Sequence, residues 1–192
     1  PPPPRSKRFP YTPRFRYCFT LLLMLGGGAI IGILAGLFIP QIQMAIEKSK
    51  QKGTMQDMNT MATMMLDYLG DKNQLPAQSG PLAAGSAFMS AMSGFYLKVV
   101  PLNDQWGSPF YVYCGSAVAG AGISGFTTAS QDDFLIRSYG RDRTATDFSF
   151  DPLQPTTAYF TITSLGDFNQ DLVNWDGSWI HVPNTSGLGA GT

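Results

Sequence analysis

The chain has 192 residues, and its 13 basic and 13 acidic side chains cancel. They are unevenly placed: Arg5, Lys7, Arg8, Arg14 and Arg16 form a basic tail, whereas acids outnumber bases from Asp71 onward. An acidic body does not suit nucleic acid, which needs a basic face, and one histidine with two distant cysteines excludes an ordinary zinc site.

In chain order, the first predicted element is apolar. No charged residue occurs between Arg16 and Glu47. Residues 19–39 match the roughly 20 residues a helix needs to cross a bilayer core. A secretory signal has a shorter apolar core with a small-residue cleavage site after it, whereas this run flows directly into more helix, so it reads as an anchor. The positive-inside rule places the basic tail, residues 1–18, in the cytoplasm and the body beyond the membrane. Cys18 and Cys114 then lie on opposite sides and do not pair. Gly28, Gly32 and Gly36 recur at every fourth position. That spacing makes a smooth face on which a second helix can pack closely; it is also simply what a glycine-rich membrane helix looks like. Pro40 removes a backbone donor, which predicts a kink or local melting.

The helical pattern continues over residues 41–70. Met55, Met58, Ala62, Met65 and Leu69 form one apolar stripe, and Lys48, Lys50, Lys52, Gln56 and Asp57 fall largely off it. Gly70 is the predicted C-cap. Residues 71–94 form a connecting region, with a short helix over 87–92. Strands are predicted over 110–114, 134–139, 159–165 and 179–182, the first introduced by a turn at 103–109. Short connections favour antiparallel pairing. The fold class is α+β: a long N-terminal helix packed on a small antiparallel sheet, with residues 71–192 as the body.

One constellation resembles a ligand set. Asp167, Asn169, Asp171 and Asp176 alternate in a polar loop, a pattern that can converge on calcium and that equally describes a solvated turn rich in Asx residues. Residues 142–151, with Asp147 between, form a weaker second candidate. No catalytic set is recognisable. His181 is a lone histidine near a strand end. Asp132 and Asp133 are adjacent, so on a strand they point to opposite faces. No serine sits in a nucleophile elbow, and no glycine loop is built to cradle phosphate.

Residues 19–40, with Phe19-Thr20-Leu21, then 29–35, then Ile39-Pro40, resemble the N-terminal signature of type IV pilins and pseudopilins. The body is similar to the major pseudopilin of type II secretion systems. Asp104-Gln105-Trp106-Gly107-Ser108-Pro109-Phe110 resembles that family's D-x-W-G-x-P-[FY] turn, and Ser138-Tyr139-Gly140-Arg141-Asp142 its S-Y-G-x-D strand and turn. The resemblance covers most of residues 18–143. It implies a structural rather than catalytic role, in the bacterial inner membrane with a periplasmic body. A prepilin peptidase would cut between Cys18 and Phe19, Phe19 would be N-methylated, and subunits would join a filament with copies of themselves and other pseudopilins above an inner-membrane secretion platform. It also implies calcium in an acidic loop after the S-Y-G-x-D strand, at 141–151 or 167–176. Two positions depart from the family: Cys18 stands where it has Gly before the cut, and Leu23 where it usually has Glu. With Leu23, register between subunits rests on apolar packing, including the Gly28/Gly32/Gly36 face and Pro40. The competing reading is an uncleaved single-pass membrane protein with a calcium- or ligand-binding body.

Overall fold

A computed structural model describes residues 14–126 and 129–184; most of the predicted tail and the last eight positions lie outside the described residues. The contact pattern divides the chain into Pro1–Gln43 and Met44–Thr192. Helix α1 spans Arg14–Lys72. It begins ahead of the predicted start at Phe19 and continues through Pro40, so the proline removes one hydrogen bond without melting the helix. At the other end α1 passes Gly70. Asn73 takes the left-handed conformation (φ 54°), and its N–H closes on Leu69 O at 2.8 Å. Asparagine tolerates this conformation and does the capping predicted for Gly70.

Within the body, the C-terminal half of α1 packs on a five-stranded antiparallel sheet. Its strands are β1 (Ser79–Pro81), β2 (Tyr111–Cys114), β3 (Phe134–Ser138), β4 (Leu172–Trp175) and β5 (Ser178–His181). Spatial order follows chain order, a meander. A short helix, α2 (Ala87–Met92), lies between β1 and β2, and the Ser86 hydroxyl caps it by accepting from Met89 N.

Two cores lie on the two faces of the sheet, because side chains alternate along each strand. Phe134 and Ile136 of β3, with Val112 and Leu172, meet Met58, Met61, Ala62, Met64 and Met65 of α1 and Phe88 and Met92 of α2. The stripe on α1 is broader than the sequence pattern, since Met61 and Met64 are also buried. Leu135, Val173 and Ile180 point the other way, into a second core with Val118, Ala121, Ile123, Phe126 and Phe150. This face is covered by loops and a 3-10 turn over Gly115–Gly120, a layer the strand pattern alone does not announce.

Three predicted strands are found, within a residue or so. The fourth, 159–165, is a correction. Its β-branched residues have no face to bury, since none of them is buried. Phe160 makes only an isolated bridge to Pro183. Its last residue opens a 3-10 turn over Leu165–Asn169, closed by a capping box between Ser164 and Asp167. The strand sits further on, at Leu172–Trp175, inside what reads as a polar loop. Asp176 (φ 49°) and Gly177 (φ 82°) then form the two-residue turn into β5. Both have positive φ, which is the Asp-Gly signature of a type I′ hairpin. Strand β1 escapes prediction because Ser-Gly-Pro carries no β signal; only its backbone pairing to β2 defines it.

Candidate functional site

The first functional element is the apolar half of α1. Every residue from 19 to 43 is exposed, including Phe19 (70%), Leu22 (71%) and Met24 (83%). This helix contains a window long and apolar enough to cross a membrane. A Cβ placed on Gly28, Gly32 or Gly36 would meet nothing within 4 Å among the described residues. Cys18 and Phe19, the residues flanking the implied cut, are both helical.

The second element is the turn at 103–109. Asp104 is buried at 5% exposure. Its Oδ1 accepts from Trp106 N at 3.0 Å and Ser108 N at 2.9 Å, and its Oδ2 from the Ser138 hydroxyl at 2.7 Å. The two body motifs are therefore one structure, since the aspartate of the first is held by the serine of the second. The turn also docks on α1. Trp106 Nε1 donates to Glu47 Oε2 at 2.7 Å, Gln105 N to the Thr54 hydroxyl at 3.2 Å, and Gln105 Nε2 to Asp57 Oδ2 at 2.9 Å. A Cβ on Gly53 would lie 3.0 Å from Gln105 Cγ, so glycine permits this close approach. Arg143 Nη2 closes the other side on Trp106 O at 2.6 Å. Glu47, Gly53, Thr54 and Arg143 were not foreseen. The available signal was Trp106 itself, since an indole N–H in a packed turn requires an acceptor. Gly140 completes the S-Y-G-x-D motif with φ 68°. A Cβ there would lie 2.7 Å from Gln170 O and 2.8 Å from Phe168 O.

The third element is the acidic loop. Asp167 Oδ2 accepts from Thr163 N and Ser164 N, both at 2.7 Å, and these bonds hold its carboxyl below the usual range. Asn169 Oδ1 accepts from Arg141 Nε at 3.1 Å. Asp176 Oδ1 accepts from Phe134 N at 2.7 Å, and burial pushes its carboxyl up to about 6. Asp171 is fully buried. Its Oδ2 accepts from Arg137 Nε at 2.6 Å and Thr146 N at 3.3 Å, while Oδ1 has no hydrogen-bond partner among the described residues. Burial pushes the Asp171 carboxyl up to about 6 against the opposing pull of Arg137. All four side chains thus already accept hydrogen bonds. Among the described residues, no three His, Cys, Asp or Glu side chains gather into a group able to hold a metal ion. The four side chains turn to separate donors on Thr163 and Ser164, Arg141, Arg137 and Phe134 rather than to one shared centre.

His181 is buried, with Nδ1 2.6 Å from Asp171 O, and its ring stacks on Phe148 at 4.2 Å. Burial lowers its pKa. Cys114 is a buried free thiol, pushed up to about 12 by desolvation.

An exposed apolar N-terminal helix, continuing into a body where it packs on an antiparallel meander, defines a pilin-like architecture. In sequence, the chain is 30% identical over 99 residues to type II secretion system core protein G of Aeromonas hydrophila, an alignment covering 48% of this chain and 68% of the relative. The chain belongs to that pseudopilin family. No family model matches it, and no solved structure does.

Proposed function

We propose that this chain is a structural subunit of a pseudopilus acting in type II protein secretion. The carrying observation is the helix surface over 19–43, apolar and wholly exposed. Each such side chain gains roughly 2 kcal/mol on leaving water, so the segment requires lipid, other helices or both. In the membrane it is an anchor. In a filament the same surface packs against copies of itself and other pseudopilins, with Gly28, Gly32 and Gly36 allowing close approach. The body faces the periplasm, the basic tail stays in the cytoplasm, and the inner-membrane platform receives the subunit. Prepilin peptidase removes the tail between Cys18 and Phe19, and Phe19 is N-methylated. The role is mechanical: filament growth moves cargo.

Cys18 and Leu23 favour a second reading, an uncleaved single-pass anchor. Intact-mass measurement on protein isolated from membranes separates the two. The pseudopilin reading expects a mature chain beginning at methylated Phe19. A basic tail retained in every molecule overturns processing and favours the anchor.

A further inference from the structure

We propose that Arg137 is the built-in cation of this body, gathering three loop segments in the manner of a bound divalent ion, so that the body holds its fold without calcium. The reasoning starts from burial. Arg137 lies in the middle of the central strand β3 at 2% exposure, and a buried guanidinium is tolerated only when its donors are used. They are used on three segments. Nε donates to Asp171 Oδ2 at 2.6 Å, at the entry to β4. Nη1 donates to Ala121 O at 2.9 Å, after the 3-10 turn. Nη2 donates to Thr146 O at 2.9 Å, in the loop after β3. The guanidinium carbon also lies 5.0 Å from the Tyr139 ring centroid.

A calcium ion ties loops by collecting carboxylate and carbonyl oxygens at one positive centre. Arg137 collects one carboxylate and two carbonyls at a positive centre that is part of the chain. The surroundings reinforce the clasp. Thr146 N also donates to Asp171 Oδ2; His181 Nδ1 meets Asp171 O; and Asp167, Asn169 and Asp176 are committed to Thr163 and Ser164, Arg141 and Phe134. Arginine is needed because its planar fork sends donors in several fixed directions, whereas lysine offers a compact point charge. The inference concerns the body alone and stands whether or not the chain polymerises.

The test is thermal unfolding of the full chain in detergent, with EGTA or with excess calcium chloride. The unmutated chain is expected to melt at the same Tm in both. Arg137→Met is expected to lower Tm on the order of 10 °C, because Asp171 is left buried without its counter-charge. Arg137→Lys is expected to recover less than half of that loss. Arg137→Met with Asp171→Leu is expected to recover most of it, since removing both partners leaves no orphan charge. The double variant decides the case if Arg137→Met fails to fold: recovery supports the clasp, and no recovery overturns it. A Tm that falls with EGTA and returns with calcium in the unmutated chain overturns the proposal whatever the variants do. So does an Arg137→Met chain that melts with the parent.

Discussion

Residues 19–43 and the body from Met44 onward solve the hydrophobic problem in opposite ways. The first segment exposes every side chain from 19 to 43. The body buries Phe88, Phe110 and Phe134 in the helix-side core and Leu135, Val173 and Ile180 in the core on the other sheet face. The contrast separates two jobs. An exposed apolar surface gains by being covered from outside, whereas a body with two cores of its own has already buried its apolar side chains.

The largest test of this contrast is removal of one side of it. A chain lacking residues 1–43 is expected to leave the membrane fraction completely and to keep a cooperative melt, followed by fractionation and circular dichroism. Retention of the truncated chain on carbonate-washed membranes would place an anchor in the body. Loss of the cooperative melt would show that the body's cores depend on the apolar helix.

Next in size come substitutions inside the body that break the junction between its two motifs. Asp104→Ala leaves the Ser138 hydroxyl and the Trp106 and Ser108 N–H groups without their acceptor, a loss of about 3 kcal/mol in urea unfolding. Membrane retention should be unaffected, because residues 19–43 are untouched. Gly140→Ala is expected to cost roughly 2 kcal/mol, from the positive φ and from crowding against Gln170 O and Phe168 O. A neutral result would mean that the β3 turn relaxes freely. Trp106→Phe keeps an aromatic ring but loses part of the indole's packing together with the bond to Glu47, so it should cost at least about 1 kcal/mol. A value indistinguishable from zero would remove that bond from the docking of the turn on α1.

The same contrast explains what could be read in the sequence. The apolar helix was legible because its pattern is one-dimensional: a run without charge, glycines a turn apart, a proline at the end. The Met stripe was legible by its helical period, and strands β2, β3 and β5 as short β-prone runs between turn signals. Strand β4 was hidden because Leu172 and Val173 sit between Asp171 and Asn174, and polar neighbours mimic a loop. The run at 159–165 misled because β-branched residues carry propensity without a face to bury. The acidic loop was read as one cluster because its residues are close in sequence, yet each aspartate answers to a different donor: Asp167 to its own turn, Asp171 to β3 through Arg137, Asp176 to Phe134. The partners of a polar group are set by tertiary pairing, which spacing along the chain does not encode.

The smallest effect concerns a side chain whose chemistry, not its stability, reports on the body. Cys114 ends β2 and faces the helix-side core at 8% exposure. Desolvation pushes its thiol up to about 12, so at pH 8 roughly one molecule in ten thousand carries the reactive thiolate. In a Cys18→Ser background, the native chain is therefore expected to show no titratable thiol with an aromatic disulfide reagent at pH 8, and one per chain after unfolding in guanidinium. Stability should not change with the reagent present below the unfolding transition. Fast labelling of the native chain would mean that the sheet opens at β2 on the timescale of minutes, and would place this strand, rather than the apolar helix, at the weak end of the molecule.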